Sequence, residues 1–146
     1  MSAHDGPPWP EILCRVAPEV DELTRFFWQG GSDGVLRFHA CGDCGQYHHP
    51  PAPVCPYCLG RSVEPKPVGG RATVYASTVN VQPWVEGQEP FVIAVVTIEE
   101  DERIRLTTNI LRCEPSQVYI GMQVEVEFVE WEEFFLPCFR PVGAIA

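Results

Sequence analysis

The chain has 146 residues, 45 % of them hydrophobic, which suffices for one ordinary globular domain or for a compact domain with a small module too short to bury a core of its own. Ten Lys and Arg face twenty Asp and Glu, a formal charge of −10, and Lys66 is the single lysine; a groove that tracks nucleic-acid phosphates needs the opposite excess. No apolar run approaches the roughly eighteen residues of a membrane span, and Met1-Ser2-Ala3-His4-Asp5-Gly6 lacks the basic and apolar regions of a secretion signal, so a cytoplasmic protein with no membrane and no nucleic-acid partner is expected.

Residues 1–33 are expected to form a tail and helices. Three prolines in residues 1–10 predict a draped tail, and residues 11–16 a short helical turn. Pro18 suits the first turn of a longer helix, where Glu19, Asp21 and Glu22 meet the positive end of its dipole, and Gly30-Gly31 ends it. Val20, Leu23 and Phe27 recur at helical spacing and mark its buried face. Phe26 and Trp28 fall off that stripe, so they pack on the next module or dock a partner.

Residues 34–69 carry two C-x-x-C pairs, Cys41/Cys44 and Cys55/Cys58, separated by ten residues. Two thiolate pairs at this distance converge on one tetrahedral Zn²⁺ and leave no open position, which is the donor set of a structural zinc ribbon rather than a hydrolytic centre. Gly42, Gly45 and Gly60 supply permissive backbone for the turns and Pro56 stiffens the second. Two disulfides or a lone redox pair are the alternatives. Four sulfurs saturate the ion, so His48 and His49 read as surface or partner-facing residues, and His39 as structural or solvent-facing. Gly69-Gly70 reads as a hinge between the ribbon and the C-terminal segment.

Residues 70–146 switch to a period of two. Strands are expected at 71–81, 91–98, 103–111, 123–130 and 134–140, and five strands favour a small closed barrel. The second is apolar on both faces and should be covered on both, by the helix and ribbon or by another subunit. Glu99-Glu100-Asp101-Glu102 is a hairpin turn, and Pro137 confines the last strand to an edge or bulge. Trp131, Phe134, Phe135 and Phe139 are candidate partner-interface rings, with closing the barrel as their competing use; Trp84 in the first hairpin loop is a loop anchor or a partner contact, and Phe26 and Trp28 join the candidates as above.

Several segments carry a resemblance when taken in order: Phe27-Trp28-Gln29-Gly30, Gly34-Val35-Leu36, Cys41-Gly42-Asp43-Cys44-Gly45, Pro50-Pro51, Cys55-Pro56-Tyr57-Cys58, Gly70-Arg71-Ala72-Thr73-Val74-Tyr75 and Ile120-Gly121-Met122-Gln123-Val124. Together they resemble the acyl-CoA-associated family that joins a rubredoxin-like zinc ribbon to an OB-fold, closest to the branch that partners thiolase-like steroid side-chain aldolases. The resemblance implies a mainly β protein with N-terminal helices, ribbon and five-stranded OB barrel. It further implies a non-catalytic accessory subunit, in hetero-oligomer with a thiolase-superfamily large subunit, that supports CoA-thioester presentation for a retro-aldol cleavage in steroid and lipid degradation. Ala40 and Ala52 stand where such proteins often have arginine, which leaves Arg61, Lys66, Arg71, Arg103, Arg105, Arg112 and Arg140 as candidate CoA contacts.

Two rival readings come from the residues. An OB barrel can bind single-stranded nucleic acid, against which the charge argues. A small acyl-CoA thioesterase or transferase would need a nucleophile; of the thiols outside the quartet, Cys14, Cys113 and Cys138, only Cys138 draws attention, and an inert buried thiol is its ordinary state.

Overall fold

The computed structural model describes residues 17–84 and 86–144, so the expected tail, the helical turn of 11–16 and Cys14 lie outside the described residues. The helix expected from Pro18 is shorter than its pattern. The Asp21 carboxylate accepts hydrogen bonds from the backbone N–H of Leu23 (2.9 Å) and Thr24 (2.8 Å), capping a turn there and leaving Glu19 outside it. Helix α1 then spans only Arg25–Gln29 and tightens into a 3-10 turn, Gly30–Asp33, ended by Gly34 at φ 76°. Phe27 is buried, whereas Val20 and Leu23 are half-buried.

Next comes a three-stranded antiparallel sheet of β1 (Arg37–Cys41), β2 (Tyr47–His48) and β3 (Val63–Pro67), with β1 in the centre. Strands β4 (Arg71–Asn80), β5 (Phe91–Ile98), β6 (Asp101–Ile110), β7 (Gln123–Trp131) and β8 (Phe134–Pro141) close into a barrel in the order β4-β5-β6-β8-β7. β6 and β8 run parallel where Ile110 meets Phe139, and β7 returns antiparallel to β4 at Ala72 and Val124. This is the five-stranded Greek-key arrangement of an OB-fold. Pro137 stands where β8 has ladder partners on β7 only, and its carbonyl accepts the Thr108 hydroxyl at 2.8 Å. The expected acidic turn narrows to Glu99 and Glu100, because Asp101 opens β6.

One core runs through both sheets. Val74, Val96, Ile104, Leu106, Val124 and Phe139 fill the barrel, and Phe27, Leu36 and Phe38 belong to the same buried cluster, so α1 and the ribbon dock on the barrel instead of forming a separate body. Gly31 allows the close approach: a Cβ there would lie 2.5 Å from Phe128 Cε1. The Gly69-Gly70 junction, expected as a hinge, is tied to the barrel by hydrogen bonds at both glycines. Gly70 is buried at φ 84°, its carbonyl accepts the Val126 N–H at 2.8 Å, and the Gly69 N–H donates to the Glu100 carboxylate.

Strand β5 is covered within the chain on one face. Val92, Ala94, Val96 and Ile98 point into the core, and on the other face Ile93 is exposed and Phe91 and Val95 are half-buried, which leaves cover by another subunit as the expectation for that face. α1 packs on β8 and β1, and β2 on β6, so neither helix nor ribbon is placed to cover that face. Among the described residues no helix is long and apolar enough to cross a membrane.

Candidate metal centre and its surroundings

β1 ends at Cys41 and a tight turn returns the chain through Cys44 to β2; a second turn, entered after the proline-rich 50–53 stretch, carries Cys55 and Cys58. In each turn backbone N–H groups point at sulfur: Asp43 at Cys41, Tyr57 at Cys55 and Gly60 at Cys58, each at 3.4 Å. These donors orient the sulfurs and favour their thiolate forms. The four Sγ atoms lie within 4.8 Å of one another, with Cys41–Cys58 and Cys44–Cys55 each at 3.6 Å. Four thiolates about 2.3 Å from one Zn²⁺ form a tetrahedron with edges of about 3.8 Å, so the donor set fits a structural zinc ion and leaves no open position. Cys41 and Cys55 are buried, while Cys44 and Cys58 face the surface.

Thiolates this close cannot share their charge without a cation. Burial opposes ionisation of Cys55, but the N–H groups of Cys58 and Tyr57 and the neighbouring sulfurs outweigh it and bring the thiol down to about 7. The Gly60 N–H favours ionisation of Cys58, yet its bond with Cys41, burial and the other sulfurs push it up to about 12. A dication removes the conflict.

The barrel grips the metal turns through Arg103. Its guanidinium donates to Gln46 Oε1, sits 5.1 Å over the Tyr57 ring and is held by Asp101 at 2.8 Å. The sequence offers no pairing signal for this clasp, because its members lie on three separate segments.

Two histidines differ from expectation. Rather than facing solvent or a partner, His48 is buried and His49 half-buried, while His39, buried as well, takes the structural one of its two readings; the aromatic residues of α1 complete the cluster. Phe26 stacks on His39 at 4.6 Å, and Phe27 and Phe38 flank His49 at 5.0 and 5.3 Å. The signal is present in β1: Phe38-His39-Ala40-Cys41 carries no formal charge, as a strand covered on both faces should. Burial, then His39 and His48, push the His49 imidazole down to about 4. The unfolded chain therefore binds a proton that the folded chain refuses between pH 6.5 and about 4, and stability falls as pH drops through that window, levelling off below it. His49→Gln should flatten the fall relative to the parent in thermal melts across pH 7 to 4; identical pH profiles would contradict the assignment.

The expected site residues divide by position. Phe139 and Phe134 are core side chains, Phe139 in the main cluster and Phe134 in a second one with Leu111, Val129, Leu136 and Cys138, so neither ring is free to meet a partner. Phe26, Trp28, Trp131 and Phe135 are half-buried, and Trp84 is 75 % exposed at the tip of the β4–β5 hairpin. Cys138 is 2 % exposed among apolar side chains, which denies it the access a nucleophile needs. Arg71, Arg112 and Arg140 gather around the β7 carboxylates Glu125 and Glu127, which occupy them, and the other candidate cations lie apart from these. Arg112 pairs with Glu127 at 2.5 Å, Arg140 with Glu125 and Glu127, Arg71 with Glu125 and Arg103 with Asp101. Lys66 lies over Tyr47 and Arg105 over Tyr75, and Arg61 is exposed; these three have no carboxylate partner among the described residues.

Two family models match the chain, one described as the ChsH2 rubredoxin-like zinc ribbon domain over residues 28–64 and one as the ChsH2 C-terminal OB-fold domain over residues 65–129. The chain is 42 % identical over 91 residues to a DUF35 domain-containing scaffold protein of Methanocaldococcus jannaschii, covering 60 % of this chain and 63 % of that one. It is 31 % identical over 133 residues to the 3-oxo-4,17-pregnadiene-20-carboxyl-CoA hydratase alpha subunit of Mycobacterium tuberculosis, covering 90 % of this chain and 41 % of that protein. The chain thus spans about two fifths of the hydratase subunit's length. Among solved structures, a chain described as "Ltp2-ChsH2(DUF35) aldolase" is similar with a TM-score of 0.77 at 31 % identity, covering 86 % of this chain and 98 % of that one.

Proposed function

We propose that this chain, which belongs to the ChsH2 family of zinc-ribbon and OB-fold proteins, is a non-catalytic accessory subunit of an acyl-CoA lyase or hydratase complex. Its large subunit would be a thiolase-superfamily enzyme that cleaves a steroid side-chain β-hydroxyacyl-CoA by a retro-aldol step. The reading rests on the likeness over nearly the full length of a chain from an aldolase assembly, in a relative of the same ribbon-plus-barrel build. Two further relatives are named as a scaffold protein and as a steroid-CoA hydratase alpha subunit, which support the accessory-subunit and acyl-CoA parts of the reading.

The exposed apolar surface supports a docking role. Val79, Val81 and Trp84 are exposed on the β4–β5 hairpin and Ile93 on the outer face of β5, apolar surface that suits burial against a larger subunit. Arg61, Lys66 and Arg105, the cations without carboxylate partners, are the better placed of the expected CoA contacts. The metal-ready thiols suit a reducing compartment, and the cytoplasm is the proposed location.

The test is co-expression with the large subunit and measurement of retro-aldol turnover. The large subunit alone should be at least about 100-fold less active than the complex, a loss of roughly 2.7 kcal/mol of transition-state stabilisation. Full turnover without this chain would overturn the proposal.

A further inference from the structure

The four thiols of the metal turns differ in what solvent can reach. Cys44 and Cys58 are exposed, whereas Cys41 and Cys55 are only 2 % and 0 % exposed. The two sulfur separations of 3.6 Å, Cys41–Cys58 and Cys44–Cys55, both run from one turn to the other, and each joins a surface sulfur to a buried one. Thiols elsewhere lack this arrangement: Cys113 is half-buried, with its thiol pushed up by burial and by Glu114, and Cys138 is buried among apolar side chains. Thiols kept protonated or out of solvent react slowly with oxidants.

The barrel adds a cation to the surface sulfurs. The Arg103 guanidinium interacts electrostatically with Cys44 and lies over the Tyr57 ring of the second turn. A positive charge beside a solvent-facing thiolate is the setting in which cysteines react, and it also stabilises the hydroxide that leaves when a peroxide bond breaks.

We propose that the quartet is a peroxide-responsive switch, in which hydrogen peroxide converts the four thiolates into two disulfides that cross between the turns, Cys41–Cys58 and Cys44–Cys55, and the metal ion is given up. The surface thiolate attacks one peroxide oxygen; the oxygen–oxygen bond breaks, leaving a sulfenic acid on the protein and a hydroxide in solution. The buried thiolate 3.6 Å away attacks that sulfur, forms the sulfur–sulfur bond and expels a second hydroxide. Four thiolates and two hydrogen peroxide molecules thus yield two disulfides, four hydroxides and the free dication. Oxidation differs in this from chelation, which leaves four reduced thiols and nothing between the turns. A thiol reductant with zinc reverses it.

The zinc-loaded full chain carrying Cys14→Ser and Cys113→Ser is treated with hydrogen peroxide, and released zinc, trapped sulfenic acid and disulfide-linked peptides are measured. Release should be complete at about two peroxides per ion, with dimedone labelling Cys44 or Cys58 early in the reaction. Peptide mapping should return Cys41–Cys58 and Cys44–Cys55, and dithiothreitol with zinc should restore the starting state. Adding Cys44→Ser should leave Cys41–Cys58 as the single disulfide and halve the peroxide consumed. Zinc retained through an about tenfold excess of peroxide, dimedone on Cys41 or Cys55, or the within-turn pairs Cys41–Cys44 and Cys55–Cys58 would each sink the switch. The map of the chain with all four ligands decides the pairing even where Cys44→Ser loses its fold. The switch needs no partner, so its failure leaves the accessory-subunit reading to its own test.

Discussion

Removing the metal, or replacing Cys55 with Ser, is expected to unfold the ribbon while leaving most of the barrel folded. The ribbon is too small to persist alone: β2 has two residues, β3 is almost wholly exposed, and no segment of 50–62 is helix or strand. Its order depends on four sulfurs held together, and structural zinc sites supply an apparent 10–16 kcal/mol or so to such modules, more than a small domain's whole stability. The barrel has its own ladders, but Leu36 and Phe38 complete its core, so it should melt lower as well. Chelation followed by amide spectra and metal analysis checks this: signals from residues 41–62 should collapse while those of β4 to β8 persist, and an ordered metal-free ribbon would refute it. The thiols set the pH sense. Binding needs Cys58, pushed up to about 12 without metal, to give up its proton, so metal affinity should weaken steadily as pH falls.

How much of this is legible in the sequence varies with the kind of signal. The cysteine spacing determines the metal centre because ligand geometry is local. Five strands and their approximate limits emerge from period-two patterning, and closure into an OB barrel agrees with the family resemblance. Helix length is overestimated because periodicity registers apolar faces but not a side-chain cap such as Asp21, which spends the first turn before the helix begins. For the histidines the uncharged run of β1 signals a covered strand, but polarity says nothing of which rings lie opposite; Phe26 and His39 meet only once α1 folds over β1. Tyr75 and Arg105 are thirty residues apart, and a bulge that one register shift creates leaves no trace in composition.

The aromatic residues near the C-terminal end pose the sharpest case, since one stretch supplies both core and surface. Phe139 is fully buried, sits opposite Val126 on β7 and Ile110 on β6, and accepts the Leu111 N–H through its carbonyl at 2.7 Å, so it stands where the barrel closes. Phe139→Ala removes a ring from a site hemmed by paired strands that cannot collapse inward, and should cost about 3–5 kcal/mol. For a domain of this size that lowers the melting temperature by roughly 10 °C or more. Trp84 is the contrasting ring: it stands in solvent at a hairpin tip, so Trp84→Ala should move the melting temperature of the isolated chain by no more than about 2 °C, yet weaken assembly with the large subunit. Thermal melts of both variants, with pull-down of the large subunit, separate the roles. A Phe139→Ala protein that melts with the parent would displace Phe139 from the closing seam, and a Trp84→Ala protein that assembles normally would move the docking surface away from the β4–β5 hairpin.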